Sequence, residues 1–282
     1  MHVRELPARP VIGILHPGVM GAALGSALKA RAGAVIWADA GRTHATAKRA
    51  EIADLVAVPD VADLARRADL IISICPPHAA RDVAAQVAAA LRGRDERPLY
   101  VDANAVSPQT VAAVEQVLGA GTVCDGAIIG PPAWERGRTV LWLSGPGAAT
   151  VAGLFEDTPF DARVLGDEIG AASGLKACFA LQSKALPTVW LAVEEAAARF
   201  GVTDALRGEM ERTGTGYEAA LGAIRDAAGG KAWRWAGEMD EAGDALAAVG
   251  VPDGFSRAAA EMYRRESEPG SAPRPEGAPR DA

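Results

Sequence analysis

The sequence predicts an α/β fold: a doubly wound Rossmann-type sheet followed by an all-helical C-terminal domain. Short apolar runs alternate with helix-like segments over about the first 160 of the 282 residues. These runs are continuously apolar rather than alternating, which is typical of parallel strands covered on both faces. After Leu165 the strand-like runs stop, and Ala-rich segments with helical periodicity continue to Arg264. The change in pattern indicates an α/β domain joined to a helical one.

The predicted elements follow in chain order. The first strand is expected at Val11–Leu15, and a turn that contains Gly and Pro leads into a helix from Val19 to Arg31. The later strands are expected at 34–38, 70–75, 99–102, 123–129 and 140–143. In the helical region, Pro187 is expected to kink or break the first long helix, because proline removes a backbone hydrogen bond and clashes with the preceding turn.

Three regions follow from these elements. Residues 1–165 are expected to form the Rossmann domain and residues 166–265 the helical domain. Residues 266–282 hold four prolines and two glycines among charged and small residues, with no large apolar residue. A segment of this composition is expected to be a disordered tail, because it has too little apolar surface to bury.

Composition narrows the class of partner. Asp and Glu number 36 against 29 Lys and Arg, and the net charge of −7 argues against general affinity for nucleic acid or an anionic membrane. A small-molecule partner is therefore expected. The widely spaced Cys75, Cys124 and Cys178 each lie in an apolar stretch and are expected to be buried reduced thiols. With no secretory or membrane-spanning run and no metal-ligand spacing among the four histidines, we expect a cytoplasmic protein without a metal site.

The first strand-to-helix turn carries the most informative motif. It reads GILHPGVMG over 13–21, with Gly18 and Gly21 at the second and third glycine positions of GxGxxG and His16 at the first. In a dinucleotide fold these glycines let a pyrophosphate approach backbone N–H groups at the positive end of the helix. A second strand ending at Asp39, about 20 residues further on, strengthens this interpretation. An ordinary Gly-rich turn is the alternative, and His16 is expected to replace the missing glycine through packing and hydrogen bonding.

The end of the second strand bears on the choice of nucleotide. Asp39 could accept a hydrogen bond from a ribose 2′-hydroxyl, which would favour NAD. Arg42 and Thr43 could instead hold a 2′-phosphate, which would favour NADP, and we expect NADP with NAD as the alternative. Asp39 could also simply cap the following helix.

Four motifs give the sequence a resemblance to a known family. They are LHPGxMG at 15–21, DANAVSP at 102–108, DGAIIGPP at 125–132 and GAASGLKACFA at 170–180. In this order they resemble the β-hydroxyacid dehydrogenase superfamily, which includes 3-hydroxyisobutyrate and 6-phosphogluconate dehydrogenases and, more distantly, imine reductases. The resemblance spans roughly Val11 to Arg264. It implies a dinucleotide-binding domain over 1–165 and a substrate and dimerisation domain over 166–265.

The resemblance also implies a cofactor site. Together with the turn motif and the end of the second strand, it predicts a cofactor site at His16, Pro17, Gly18, Met20, Gly21, Asp39, Arg42, Thr43, Pro76 and Asn104. The glycines and Met20 would line the phosphates, and Arg42 with Thr43 would contact the adenosine ribose. Asn104 would lie near the nicotinamide ribose, although an Asx turn at a strand end explains it equally well.

Lys176 is the expected acid/base residue, because the family's catalytic lysine lies early in a helix that follows a Gly-rich approach. Lysine is rare in this chain, with five residues, and an ammonium group in an apolar setting can lose its proton to a neighbouring group. A side chain that extends to the surface is the alternative.

The chain also departs from the family at the substrate. Where relatives bind a carboxylate with a serine-glycine-glycine segment, this chain has Ile129, Gly130 and Pro131, and Ala180 stands in place of the usual asparagine. An apolar pocket is therefore implied. Ser173 and Ser183 lie one turn before and two turns after Lys176, so either could replace the missing contacts.

These observations predict an NADP-dependent oxidoreductase that interconverts a hydroxyacid-like secondary alcohol and a carbonyl, with the substrate between two domains. An imine reductase acting on C=N is the first alternative, favoured by the missing carboxylate contacts and disfavoured by the lysine. A nucleotide-binding sensor without turnover is the second. By resemblance to relatives, a homodimer is expected.

Overall fold

A computed structural model describes residues 2–3 and 5–267 of the chain. The chain divides into two compact units, with the boundary between Cys178 and Phe179. This boundary falls after the predicted change of character at 165–166, because the start of the helix over Ala171–Ala180 is hydrogen-bonded to the sheet of the first unit. The predicted tail lies outside the described residues, apart from Glu266 and Ser267, which end the last helix.

The described part of the first unit has an eight-stranded sheet and a separate two-stranded one. The ten strands are β1 (His2–Val3), β2 (Val11–Leu15), β3 (Ala34–Ala38), β4 (Val56–Val58), β5 (Leu70–Ser73), β6 (Glu96–Arg97), β7 (Leu99–Asp102), β8 (Val123–Ile129), β9 (Val140–Ser144) and β10 (Asp161–Gly166). Their order in the large sheet is β10-β9-β8-β7-β5-β2-β3-β4, and β1 pairs separately with β6. All pairs from β8 to β4 are parallel, whereas β9 is antiparallel to β8. The doubly wound fold is confirmed.

Helices cover both faces of this sheet. They are α1 (Val19–Leu28), α2 (His44–Ile52), α3 (Val61–Arg67), α4 (Ala80–Ala90), α5 (Pro108–Leu118), α6 (Ala148–Leu154) and α7 (Ala171–Ala180). One buried cluster joins α1, α2 and α6 to the first face, and a second joins α3, α4 and α5 to the other. The central strands are buried on both faces, which explains why their sequences are continuously apolar.

Two strands of the large sheet were not predicted from the sequence. β4 has three residues, two of them exposed, and β10 is mostly exposed and includes charged side chains. Edge strands of this kind lack the buried apolar run that identifies a central strand. The antiparallel β9 also modifies the expectation of a parallel sheet, because it returns directly beside β8.

The second unit is helical, as predicted. It contains the end of α7, a π-helical turn at Leu181–Ala185, and five further helices. These are α8 (Thr188–Phe200), α9 (Thr203–Arg212), α10 (Tyr217–Ala228), α11 (Ala232–Ala248) and α12 (Gly254–Ser267). Pro187 immediately precedes α8, which confirms the predicted break in the helix. No helix among residues 5–267 is long and apolar enough to cross a membrane.

A charged group is packed into the second unit at the π-helical turn. Lys184 forms an ion pair with Glu238, and its ammonium lies 5.4 Å from the centre of the Trp235 ring. The hydroxyl of Tyr263 donates a hydrogen bond of 2.9 Å to the carbonyl of Lys184. The π-helical turn is thus joined by side-chain contacts to α11 and α12.

Candidate functional site

The turn between β2 and α1 adopts the shape that a GxGxxG loop requires, although its first glycine is replaced. His16 has a φ of +67°, a left-handed conformation that glycine adopts readily and histidine more readily than most residues. The carbonyl of His16 accepts a hydrogen bond of 2.7 Å from the Gly18 amide. At Gly21 a Cβ would lie 2.6 Å from that carbonyl oxygen, so the third glycine is required by the close approach of helix and turn.

The N-terminus of α1 is open to a ligand. Gly18 is its N-cap and no side chain caps it, whereas α2, α3 and α5 are capped by Thr43, Asp60 and Ser107. A Cβ built on Gly18 meets no atom within 4 Å, so the space above this residue is free. Uncapped N–H groups, the positive end of the helix dipole and open space suit a phosphate group. Pro17 is buried and Met20 packs partly against the core, so both hold the turn in place.

Electrostatics around the turn favour a neutral histidine beside a permanent cation. Burial and the charge of Arg42 lower the pKa of His16 from 6.5 to about 4. Neither Nδ1 of His16 nor Nε of Arg42 has a hydrogen-bond partner among the described residues, although both atoms are buried. His16 is therefore neutral near pH 7, and the positive charge at this site comes from Arg42 and the helix dipole.

In the segment after β3, Asp39 and Thr43 have different roles. Thr43 caps α2 by accepting a hydrogen bond of 3.3 Å from the Thr46 amide, so the alternative in which Asp39 is the cap is wrong. Asp39 is exposed, and its backbone amide bonds to the Val58 carbonyl. Its carboxylate is thus positioned at the surface, beyond the end of β3.

Asn104 acts as a clamp between two strand ends. Its side-chain carbonyl accepts a hydrogen bond of 2.6 Å from the Cys75 amide, and its side-chain NH₂ donates one of 3.2 Å to Ser73. Its backbone amide donates to the carboxylate of Asp102, so the Asx turn here belongs to Asp102. The side chain is 3% exposed. Asn104 thereby fixes the segment that leads to the half-buried Pro76.

Lys176 lies on α7 and reaches the carboxyl end of β8. Its ammonium donates a hydrogen bond of 2.5 Å to the carbonyl of Ile128, and the residue is half-buried. The surface alternative is therefore unsupported. Gly170 has a φ of +93°, and a Cβ there would lie 3.0 Å from Pro108, which explains the glycine just before α7.

Two family models match separate parts of the chain. Residues 11–105 match the family described as NADP oxidoreductase coenzyme F420-dependent, and residues 197–265 match a domain of unknown function, DUF1932. An uncharacterized 28.5 kDa protein of Methanothermus fervidus is 30% identical over 173 residues, which are 61% of this chain and 65% of that protein. The match therefore spans less than two thirds of that relative's length.

Solved structures of similar architecture cover nearly the whole chain. A conserved protein of unknown function, described as structurally similar to 3-hydroxyacid dehydrogenases, is 25% identical with a TM-score of 0.63, covering 90% of this chain and 95% of its own. For Mycobacterium tuberculosis 3-hydroxyisobutyrate dehydrogenase with L-serine, the identity is 18%, the TM-score 0.65 and the coverage 92% and 94%. For a reductive aminase from Aspergillus terreus with NADPH4, cyclohexanone and allyl amine, these values are 18%, 0.53, 92% and 95%. The predicted resemblance to the β-hydroxyacid dehydrogenase superfamily is confirmed.

The segment that departs from the superfamily follows β8 directly. Gly130 is exposed and has a φ of +132°, and a Cβ there would collide with the backbone of Arg138 and Thr139. Thr139 donates a hydrogen bond of 2.5 Å to the Pro131 carbonyl. The backbone at 129–131 is thus held in a defined conformation, and the side chains that Ile129 and Pro131 contribute to it are apolar.

Ser173 and Ser183, expected as possible replacements for the missing substrate contacts, both form hydrogen bonds within the protein. Ser173 is 1% exposed and donates its hydroxyl to Asp125 at 2.6 Å, so burial argues against its direct contact with a substrate. Ser183 donates to the carbonyl of Phe179 at 2.8 Å. The α-helical count that related Ser183 to the lysine is also wrong, because α7 ends at Ala180 and a π-helical turn follows. Ala180 is buried.

Two residues near this site were missed from the sequence. Asp125 and Ser144 lie side by side on β8 and β9 in the same row of the sheet as Ser73 and Asp102, and all four are buried. Asp125 is the first residue of the DGAIIGPP motif, and this motif was the sequence signal that could have identified it.

Cys178, expected to be buried, is exposed, whereas Cys75 and Cys124 are buried as predicted. Among the described residues, no group of three His, Cys, Asp or Glu side chains gathers at a metal-binding distance.

Proposed function

We propose that the protein is an NADP-dependent oxidoreductase that interconverts a hydroxyacid-like secondary alcohol and a carbonyl, with Lys176 as general acid/base. The observation that carries the proposal is the position of two groups at one edge of the sheet. The open turn at His16–Gly21 follows β2, and the Lys176 ammonium lies at the end of β8. Both strands run in the same direction, so both groups lie beyond the carboxyl ends of the strands.

The strand order supports a dinucleotide lying along this edge. The chain moves outward from β2 through β3 to β4 on one side, and through β5 and β7 to β8 on the other. Ligands of doubly wound sheets bind at such a switch in direction. β8 is three strand spacings from β2, roughly 14 Å at about 4.8 Å each. A pyrophosphate above Gly18 would then have its adenosine near Asp39 and its nicotinamide near Lys176.

Each protein group has a distinct task in this arrangement. When bound, the nicotinamide supplies or accepts the hydride. The α1 N-terminus and Gly18 bind the phosphates, and Asn104 holds the end of β5 in position. Lys176 exchanges a proton with the substrate oxygen, and the Ile128 carbonyl orients its ammonium by accepting a hydrogen bond.

The preference for NADP depends on Arg42. This residue is half-buried at the end of β3, and a guanidinium suits a 2′-phosphate because it can donate two parallel hydrogen bonds. The family described for residues 11–105 and an Aspergillus terreus reductive aminase solved with NADPH also support this choice. NAD, held through Asp39, is the alternative.

The substrate class follows from the segment after β8. The side chains of Ile129 and Pro131 offer no hydrogen bond to a carboxylate, so the substrate is expected to carry an apolar group there. An imine reductase is the alternative, and the similarity to a reductive aminase favours it. A non-catalytic NADP-binding sensor is the remaining candidate. It differs from both in predicting binding without turnover.

Partners and location complete the proposal. The second unit exposes large apolar side chains, among them Phe200, Val249 and Phe255. Surfaces of this kind are typical of an interface, and we propose that the protein is a homodimer. We also propose a cytoplasmic location, because the described cysteines are free thiols, and no binding to nucleic acid, because of the net charge.

The test compares wild type with Lys176→Ala, and with Lys48→Ala as a control at an exposed lysine. NADPH and NADH affinities are measured by calorimetry, and turnover is measured with 3-hydroxy acids, including L-serine and 3-hydroxyisobutyrate, and with cyclic imines. We expect Lys176→Ala to lower kcat about 10²- to 10⁴-fold with NADPH affinity unchanged. Equal turnover by the two proteins would remove the acid/base role. Binding of NADPH with no turnover of any compound would favour the sensor.

A further inference from the structure

The start of α7 is attached to the sheet by one buried carboxylate. Asp125 on β8 accepts three hydrogen bonds: from the Ser173 hydroxyl at 2.6 Å, from the Ser173 amide at 2.9 Å and from the Ser144 hydroxyl at 3.3 Å. Asp125 and Ser144 are fully buried. Burial raises the pKa of Asp125, while these donors and the Gly170 amide oppose the rise.

These contacts replace an ordinary helix cap. In the first turn of α7, the Ser173 amide donates to Asp125, and the Ala172 amide donates at 3.0 Å to the Ser144 hydroxyl. The Ala171 amide donates to the Glu168 carbonyl. Two of the N–H groups that a helix leaves unsatisfied at its start are therefore bound by side chains of β8 and β9. A negative charge at this end is also favoured by the helix dipole.

A second attachment joins the same helix and the same strand. Lys176 lies one helical turn after Ser173, and its partner Ile128 lies three residues after Asp125. The two contacts have the same sequence separation of 48 residues. From Ser173 to Lys176 the helix advances about 4.5 Å, whereas from Asp125 to Ile128 the strand advances about 10 Å. The long lysine side chain bridges this difference to reach the Ile128 carbonyl. The position of the ammonium along β8 therefore depends on where the first contact fixes the helix.

The geometry points to Asp125 as a positioning residue for Lys176, acting through Ser173, Ser144 and the first turn of α7. Asp125 does not itself touch the reacting groups, because it is fully buried. Its carboxylate sets the axial position and rotation of α7, and thereby places the lysine ammonium at the Ile128 carbonyl. The catalytic consequence rests on the proposed function of Lys176, whereas the positional consequence does not.

Asp125→Asn tests this role with little change in side-chain volume. The amide would direct an NH₂ group at one of the donors that the carboxylate binds, so the attachment of α7 is weakened without leaving a cavity. Asp60→Asn is the matched control, because Asp60 caps α3 by accepting a hydrogen bond of 2.7 Å from the Asp63 amide. Should Asp125→Asn fail to fold, Ser144→Ala replaces it, because this variant keeps the carboxylate and removes the bond to the Ala172 amide.

The first readout requires no substrate. Each lysine is acetylated with a limiting amount of acetic anhydride, and its rate is measured by mass spectrometry, with the exposed Lys48 as the internal reference. In Asp125→Asn we expect the rate at Lys176 to change about fivefold, as expected when one hydrogen bond is released, while the rate at Lys48 stays constant. An unchanged rate at Lys176 in a folded Asp125→Asn overturns the positioning role, whatever the activity.

The second readout uses the compound that gives the highest turnover. Asp125→Asn is expected to lower kcat about tenfold while the KM for NADPH changes less than about twofold. In a Lys176→Ala background the same substitution is expected to change kcat less than about twofold, because no positioned lysine remains. If the losses of kcat from Asp125→Asn and Lys176→Ala are additive in the double variant, the positioning role is overturned. A tenfold loss of kcat in Asp60→Asn also overturns it. Absence of turnover in wild type overturns the proposed function alone, and the acetylation rates still decide the positional claim.

Discussion

Substituting alanine at Gly18 or at Gly21 tests two roles of the turn separately: binding of the cofactor phosphates, and packing of the turn against α1. Both residues belong to the turn at the start of α1, and both are glycines of the same motif. A Cβ at Gly18 points into open space, whereas at Gly21 it would lie 2.6 Å from the His16 carbonyl oxygen and 3.0 Å from a methyl of Ile74. The two substitutions should therefore differ in stability while both weaken cofactor binding.

The magnitudes follow from these distances. Gly18 has a φ of −66°, which alanine adopts without strain, so the loss of unfolded-state freedom should stabilise the free protein by about 0.4–1 kcal/mol. At Gly21 overpacking costs about 1–3 kcal/mol, offset by about 1 kcal/mol from the better helix propensity of alanine. The expected net loss is up to about 2 kcal/mol. At roughly 2–4 °C per kcal/mol, Tm should rise slightly for the first variant and fall by up to about 8 °C for the second.

The assay combines thermal unfolding without ligand and calorimetric titration with NADPH. The Gly18→Ala methyl would occupy the space above the helix N-terminus, so we expect at least about a tenfold loss of NADPH affinity, equivalent to about 1.4 kcal/mol. Wild-type affinity in Gly18→Ala would show that the phosphates do not approach this residue. Equal stability of Gly18→Ala and Gly21→Ala would show that the close approach of helix and turn is absent.

Two further predictions concern the charged groups around the same turn. Arg42→Ala should weaken NADPH binding about tenfold and leave NADH binding unchanged, since one charge-assisted contact to the 2′-phosphate is lost; calorimetry with both nucleotides measures this, and equal losses for the two would exclude the phosphate contact. His16 has a folded pKa of about 4, below its unfolded value, so wild-type stability should be complete above about pH 6.5 and fall by up to about 3 kcal/mol as the pH drops to about 4. His16→Gly should lack this fall and be more stable at pH 7 by about 1 kcal/mol, because glycine adopts the positive φ without strain; urea unfolding at both pH values checks this, and parallel pH dependences would contradict it.

Much of the fold was predictable because its central strands are buried on both faces. Their apolar runs identify them without reference to tertiary structure, and Pro187 marks the helix break by its own chemistry. The exposed edge strands β4 and β10 carry no such pattern. The π-helical turn after α7 was also not predictable, because the contacts made there by Lys184, with Glu238 and Trp235, are tertiary. Those contacts join residues that are far apart in the sequence.

The candidate site divides in the same way. Gly18, Gly21 and Lys176 were identified from local motifs, because a tight turn and a helix-borne amine leave local patterns. Ser173 was misjudged for a physical reason: from the sequence, a serine one turn from a lysine cannot be distinguished from a substrate contact. Its partner Asp125 lies 48 residues away, and only the pairing of α7 with β8 brings the two together.

β8 combines three tasks that the sequence presents as a single motif. Asp125 attaches α7, the Ile128 carbonyl holds the Lys176 ammonium, and the segment at 129–131 is proposed to present apolar groups to the substrate. The first two tasks use a buried carboxylate and a backbone carbonyl, so they do not depend on the side chains at 129 and 131. The backbone of that segment is held separately, by the positive φ of Gly130 and the bond from Thr139 to the Pro131 carbonyl. We therefore expect substitutions at 129 and 131 to alter the preferred substrate while the lysine keeps its position.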